Sequence, residues 1–143
     1  MRAYYLPPCA PMAPEDLVGI HVLVVEDNDE SRETLRIVLE YCGALVTAAA
    51  SAEEAKRILA ELQPYMPDVL ISDISMPDDG LEVVHEVKAV AEAKGIRVPA
   101  IAITAHRGRR EELVAGGFDE LLEKPFDSMA LCGVIRRHAQ MQT

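Results

Sequence analysis

Short apolar runs alternate with amphipathic stretches five times along the chain, and this alternation constrains the fold more than any other feature. The first run, His21–Val25, reads HVLVV, which is typical of a strand covered on both faces by helices. The segment that follows, to about Cys42, repeats apolar residues at helical spacing. Regular alternation with short links predicts one parallel sheet with helices on both faces.

The later elements follow the same pattern. Ser51 and Glu54 fit a capping box at the start of the second helix, and Asp127 or Ser128 caps the last one. The other predicted strands are Ala44–Ala48, Val69–Ser72, Pro99–Thr104 and Glu120–Glu123, and the third and fourth helices are Gly80–Lys94 and Arg107–Ala115. The predicted fold is therefore an α/β doubly wound sheet of five parallel strands, (βα)5, in a single domain.

Length and composition agree with that fold. The 143 residues are half apolar, enough for one aliphatic core, which we expect over residues 20–140. Residues 1–19 form a proline-rich extension, expected to be a mobile lead without a signal peptide. The net charge of -10 disfavours nucleic-acid binding, and no apolar run reaches the ~20 residues of a membrane span. Cys9, Cys42 and Cys132 fit no zinc spacing, so we expect a reducing, cytoplasmic location.

Polar side chains stand at the carboxyl ends of four predicted strands. They are Glu26 and Asp27 after the first strand, Asp73 after the third, Thr104 and the small Ala105 at the fourth, and Lys124 after the fifth. Because the ends of parallel strands share one edge, we expect these groups to converge there. A single Asp after a strand is more often a turn former or a cap, whereas four occupied strand ends indicate a functional site.

Three carboxylates crowded at one edge repel each other, by roughly 1–4 kcal/mol per pair. A divalent cation relieves that repulsion, and Mg2+ favours oxygen ligands completed by water. With Glu26 and Asp27 on the metal, an oxygen of Asp73 can act as nucleophile toward a phosphoryl group. Lys124 supplies further positive charge, and the Thr104 hydroxyl can donate to a phosphoryl oxygen.

The motifs LVVEDN, ISDISMP, AITA and EKPF resemble, in order and spacing, the receiver domain of two-component response regulators over about residues 20–140. The resemblance implies a flavodoxin-like fold and phosphorylation of Asp73 by a histidine kinase or a histidine phosphotransfer protein. It also implies binding of Mg2+ (or Mn2+) by Glu26, Asp27, Asp73 and the backbone carbonyl of Ser75.

The resemblance assigns further roles near the strand ends. Thr104, Ala105 and Lys124 would bind the phosphoryl group, with Thr104 moving toward it, and the peptide before Pro125 would be cis. Ser75 and His106 are candidates for tuning the rate of hydrolysis. The domain would catalyse only its own phosphoryl acceptance and slow dephosphorylation, and would not otherwise be an enzyme.

Leu121 departs from the family pattern, which usually places Tyr or Phe three residues before the lysine. The stretch from Thr104 to Lys124 is also about two residues short, which shortens the fourth helix. An output that uses an aromatic switch is therefore not expected.

We expect the output to pass through protein–protein contacts of a single-domain regulator. The Arg107–Arg110 helix, the fifth strand and the last helix, with Arg136 and Arg137, would dock a downstream protein, unless these arginines form an ordinary solvated face. No nucleic-acid or membrane partner is expected, and homodimer formation is left open.

Two other functions are weighed against this one. A receiver-like interaction module that works without phosphorylation would fit Leu121 and the short fourth helix. A small flavoprotein or a phosphatase on the same fold is disfavoured, because no phosphate-cradling loop follows a strand and no second acid lies two residues after Asp73.

Overall fold

Five parallel strands form one sheet in the computed structural model, which describes residues 17–74, 80–105 and 107–140. Within these residues the strands are β1 His21–Val25, β2 Leu45–Ala49, β3 Val69–Asp73, β4 Ala100–Thr104 and β5 Glu120–Glu123. Their order is β2-β1-β3-β4-β5, with every neighbouring pair parallel. This is the flavodoxin-like doubly wound order, so the predicted fold class is confirmed.

Helices cover both faces of the sheet. They are α1 Asp29–Tyr41, α2 Ala52–Leu62, α3 Gly80–Lys94, α4 Arg110–Ala115 and α5 Ser128–Gln140. The fourth helix differs from the prediction, because its first turn, Arg107–Arg109, is a 3-10 helix. Gly108 lies in that turn, where its low helix propensity disfavours regular α-helix, and Arg109 gives α4 no side-chain cap. Strand β2 starts one residue later than predicted, because the Ala44 N–H still bonds to the α1 carbonyl of Leu39.

Side-chain caps fix where the helices begin. The Ser51 hydroxyl accepts from the Glu54 N–H at 3.0 Å, while the Glu54 carboxylate accepts from the N–H of Ala50 at 2.6 Å. The predicted capping box is therefore present, with its return bond one residue earlier than in the usual motif. Asp127 caps α5, accepting from the Met129 N–H at 3.1 Å.

Two apolar layers pack on the sheet, one under α2, α3 and α4 and the other under α1 and α5. Strand β3 lies between them with all five residues buried. Leu17 is fully buried in the α1/α5 layer, and its N–H donates to the Cys42 carbonyl at 2.8 Å. The folded chain therefore includes Leu17, three residues before the start predicted for the domain. None of the helices in the described part of the chain has both the length and the apolar character needed to cross a bilayer.

Burial of Leu17 predicts that this residue contributes strongly to stability. We expect Leu17→Ala to lower the free energy of unfolding by about 2–5 kcal/mol, because it removes buried methyl groups and leaves a cavity. Urea unfolding of the variant and the parent measures the difference. Val18→Ala is the matched control, since Val18 is 63% exposed and its truncation should change stability by less than about 0.5 kcal/mol. Equal midpoints for the parent and Leu17→Ala would contradict this role.

Asp119 joins three elements at the edge of the sheet where the strands begin. Its Oδ2 accepts from the Lys88 ammonium of α3 at 2.7 Å and from the Ala100 N–H of β4 at 2.8 Å. Lys88 also donates to the Val98 carbonyl at 2.8 Å. Burial raises the pKa of Asp119, but the bonds from Lys88 and Ala100 and the charges of Lys88 and Arg97 outweigh it, so that pKa lies below its ordinary value.

A lowered carboxyl pKa makes stability depend on pH in a defined direction. The stabilisation is complete above the unfolded pKa of 3.8 and is lost as the pH falls through the lower folded value. We expect Asp119→Asn to cost about 1–2 kcal/mol at pH 7, because the side chain is only 26% exposed, and the cost to shrink below pH 3.8. Urea midpoints across this pH range test it, with the exposed Glu61→Gln as control. A cost that grows on acidification would contradict the assignment.

Candidate functional site

Three carboxylates converge at the edge of the sheet where the strands end. Glu26 and Asp27 follow β1, Asp73 ends β3, and one oxygen from each lies within 4.8 Å of the others. Glu26 and Asp73 are buried, whereas Asp27 is exposed. The pairing of β1 with β3 brings these residues together, since Val25 lies beside Ser72 in the sheet.

Lys124 brings a positive charge to the same edge. Its Nζ lies 2.9 Å from Asp73 Oδ2, and the Asp73 side chain is 3% exposed while that of Lys124 is 35% exposed. The Lys124 N–H donates to the Thr104 carbonyl at 2.8 Å, continuing the pairing of β4 with β5. The strand pairing thus places the lysine so that its amine reaches in from the rim to a buried carboxylate.

Backbone contacts hold Glu26 in place. Its N–H donates to the Ala49 carbonyl at 3.0 Å, and its carbonyl accepts from Arg32 Nη1 at 2.9 Å. The Asn28 N–H donates to Glu26 Oε2 at 3.1 Å, while the Asn28 side chain caps α1 through the Ser31 N–H. Neither Asn28 nor Arg32 is among the site residues predicted from the sequence. Asn directly before a helical pattern is a capping signal that could have identified the first.

The charge balance of the cluster is incomplete without a further cation. Burial raises the pKa of Glu26 to about 7, and the hydrogen bond and charge of Asp73 raise it as well, against the lowering effects of the Asn28 N–H and Lys124. Lys124 compensates only one of three acids. Three carboxylate oxygens within 4.8 Å of one another are the hard donors that Mg2+ takes, so the residues present fit such an ion.

Most of the remaining predicted site residues lie in the described part of the chain, and two do not. Thr104 is buried as the last residue of β4, and Ala105 follows it exposed. The Lys124–Pro125 peptide is cis, as the resemblance implied. Leu121 is half-buried and packs against the α2/α3/α4 layer, which also contains the buried ring of Phe118. Ser75 and His106 lie outside the described residues.

A cleft of about 480 Å³ opens beside the carboxylates. Glu26 and Lys124 line it, together with Glu30, Ser31 and Thr34 of α1. Its apolar lining is Leu35, Val38, Ile103, Pro125, Phe126 and Leu131. No pattern in the sequence predicts this cleft, because its walls come from helices that are far apart in the chain.

Part of the predicted basic surface is neutralised by neighbours. Arg109 donates to both Glu112 oxygens, at 3.0 and 3.1 Å. Glu120 of β5 lies 3.1 Å from Arg137 and 2.8 Å from the buried His138. Burial raises the pKa of Glu120, but the hydrogen bonds from His138 and Arg137, together with the charges of these two residues, lower it by more than burial raises it. The pKa of Glu120 therefore lies below its ordinary value. Arg109 and Arg137 therefore each have an acidic partner within the surface of α4, β5 and α5.

Comparison with known proteins identifies relatives over most of the chain. The family model for the response regulator receiver domain matches residues 22–136. An uncharacterized 14.6 kDa protein of Leptolyngbya boryana is 36% identical over 127 residues, covering 87% of this chain and 93% of that protein. The virulence transcriptional regulatory protein PhoP of Salmonella typhimurium is 34% identical over 110 residues, 75% of this chain but 46% of PhoP. The chain thus spans less than half of this second relative.

Solved structures show the same architecture. The receiver domain of the histidine kinase CKI1 from Arabidopsis thaliana, complexed with Mg2+, is 31% identical with a TM-score of 0.75, covering 87% of this chain and 94% of that one. The response regulator TrrA from Thermotoga maritima, in complex with Mg2+-BeF, is 28% identical with a TM-score of 0.71, covering 83% and 98%. The matched domain, the strand order and the acidic edge agree, and the chain belongs to the response regulator receiver family.

Proposed function

We propose that this receiver accepts a phosphoryl group on Asp73 from a histidine kinase or a histidine phosphotransfer protein, with Mg2+ or Mn2+ bound by Glu26, Asp27 and Asp73. The observation that carries the proposal is the set of three carboxylates within 4.8 Å, with the Lys124 amine 2.9 Å from Asp73. The metal complexes named for CKI1 and TrrA support the choice of ion. A cytoplasmic location follows from the kinase partner.

The proposed chemistry uses residues already in position. The Lys124 amine donates to Oδ2 of Asp73 at 2.9 Å, which would hold the carboxylate in position for attack on the phosphorus atom. A new O–P bond forms as the P–N bond to the donor histidine breaks, and the imidazole leaves with the electron pair. The Lys124 ammonium would then neutralise negative charge on the phosphoryl oxygens, and the Thr104 hydroxyl would donate a hydrogen bond to one of them. The bound ion would supply the remaining positive charge at those oxygens.

The donor must reach a carboxylate that is almost fully buried. Asp73 is 2% exposed, and the cleft lined by Glu26 and Lys124 adjoins it. The apolar lining between α1 and α5 suits one face of an amphipathic helix that carries the donor histidine. We therefore place donor docking at this cleft, and downstream docking on the surface of α4, β5 and α5. The protein would catalyse nothing beyond its own phosphorylation and slow dephosphorylation.

Incubation with a small acyl-phosphate donor tests the proposal without needing the kinase. Intact mass should show one added phosphoryl group in the presence of Mg2+, and none in Asp73→Asn. Asp29→Asn is the matched control, since Asp29 is a strongly exposed acid close to the site but outside the cluster, and it should react like the parent. An adduct that persists in Asp73→Asn would refute Asp73 as the acceptor.

A phosphorylation-independent interaction module is the second candidate. It is favoured by Leu121, which lacks a ring, and by α4, which has six residues. A pull-down of cell extract with the parent and with Asp73→Asn distinguishes the two. The module predicts the same partner in both, whereas signalling through phosphorylation predicts that Asp73→Asn loses phosphorylation-dependent binding.

A further inference from the structure

Two cysteine thiols meet in the core between the first and last helices. Cys42 caps the C-terminal end of α1, Cys132 lies in α5, and their sulfur atoms are 3.3 Å apart. Both are buried, 1% and 0% exposed, and both are thiols in this structure. They are 90 positions apart in the sequence, so their contact is a property of the fold.

We propose that this pair is a redox-sensitive cross-link, which hydrogen peroxide converts to a disulfide joining α1 to α5. One cysteine sulfur attacks the peroxide oxygen, the O–O bond breaks, and a sulfenic acid and one water form. The second sulfur then attacks the sulfenic sulfur, and a second water leaves. In total the two thiols lose two electrons and two protons, and the peroxide is reduced to two waters.

The geometry requires only a small movement. A disulfide has an S–S length of about 2.05 Å, so the sulfur atoms must approach each other by a little more than ~1 Å. A change of side-chain rotamer or a slight shift of α5 against α1 can supply this. Transient disulfides of this kind are compatible with a reducing compartment, where the resting state is the dithiol seen here.

The cross-link would fix the two walls of the cleft against each other. Leu35 and Val38 of α1 line the cleft from one side, and Leu131, directly before Cys132, lines it from the other. A covalent tie between α1 and α5 would therefore restrict how far the cleft can open. An effect on donor docking rests on the proposed function, whereas formation of the disulfide does not.

Access to the sulfur atoms limits the rate. Leu17 is fully buried in the same apolar layer, and its N–H donates to the Cys42 carbonyl at 2.8 Å. Oxidation thus requires local opening of the packing around the pair. Leu17→Ala loosens that packing, so we expect severalfold faster oxidation in this variant than in Val18→Ala.

The test uses the full chain with Cys9→Ser, which removes the third thiol. After treatment with hydrogen peroxide, mass analysis under non-reducing, denaturing conditions should show the loss of two hydrogens, reversed by dithiothreitol. The Tm should rise, because a cross-link closing a long loop restricts the unfolded chain. Further replacement by Cys42→Ser or Cys132→Ser should abolish both changes.

Three results would overturn the proposal. One is a pair of thiols that still reacts fully with an alkylating reagent after peroxide treatment and unfolding. Another is oxygen added to the two cysteines separately without a cross-link. The third is the same loss of two hydrogens in the Cys42→Ser or Cys132→Ser variants. Phosphoryl acceptance on Asp73 is measured independently, so failure of either proposal leaves the other standing.

Discussion

Adding Mg2+ is expected to raise the Tm by several degrees, because the ion binds the folded carboxylate cluster and not the unfolded chain. At a concentration about 100 times Kd the gain in the free energy of unfolding is about 2.7 kcal/mol. Asp27→Ala should lose most of this gain, since it removes one of three carboxylates whose oxygens lie within 4.8 Å.

Ionic strength must be matched with NaCl, because screening alone weakens repulsion in a chain of net charge -10. Asp29→Asn is the control variant, since it removes an exposed acid next to the cluster and should keep the full Mg2+ response. Equal shifts in Mg2+ and in matched NaCl would show that no specific site exists. A full shift in Asp27→Ala would place the ion elsewhere.

Lys124→Ala is expected to slow adduct formation from a small acyl-phosphate donor by roughly 100- to 1000-fold, as loss of one charge-stabilising donor does in other active sites. The variant removes the amine that lies 2.9 Å from Asp73. It should also cost about 1–3 kcal/mol of stability, because Asp73 stays buried without that partner, although the exposed position of Lys124 softens the loss.

Rates are measured by intact mass against time, and stability by urea unfolding. Lys56→Ala is the matched control, since Lys56 is an exposed lysine that pairs with Glu82 across α2 and α3 and belongs neither to the carboxylate cluster nor to the lining of the cleft. Lys56→Ala should react at the parental rate. Parental rates in Lys124→Ala would remove the lysine from the proposed mechanism.

The site could be predicted from sequence because its residues adjoin strands. Glu26, Asp73 and Lys124 each sit at a strand end, and a parallel sheet brings such ends to one edge. Residues that stabilise the fold away from this edge, such as Leu17 and Asp119, are not marked by any comparable pattern in the sequence. Leu17 follows directly on a proline-rich stretch, and the bonds of Asp119 to α3 and β4 arise from packing that no local pattern encodes.

Features that arise between distant segments could not be predicted from one sequence. The cleft between α1 and α5 and the contact of Cys42 with Cys132 depend on how these helices pack, and no local spacing encodes that packing. The 3-10 turn before α4 depends on Gly108 and on the missing side-chain cap at Arg109, effects of about 1 kcal/mol that a periodic pattern does not resolve.

Because Leu121 has no aromatic ring, a signal from the acidic edge must be transmitted through other side chains. Leu81, at the start of α3, packs against the same apolar layer as Leu121. A Cβ atom added at Gly116, which follows α4, would lie only 2.5 Å from Cδ2 of Leu81. The start of α3 is therefore in close contact with the end of α4. If phosphorylation displaced α3, this contact would change the packing of α4, and no aromatic ring at position 121 would be needed.

Locating a paramagnetic ion tests the central claim most directly. Mn2+ added in small amounts to isotope-labelled protein should first broaden the NMR amide signals of residues 26–28, 73, 74, 104, 105 and 124, and excess Mg2+ should restore them. The claim is that Glu26, Asp27 and Asp73 form one cation site with Lys124 beside it. Broadening that begins elsewhere on this acidic surface, or that Mg2+ does not reverse, would contradict it.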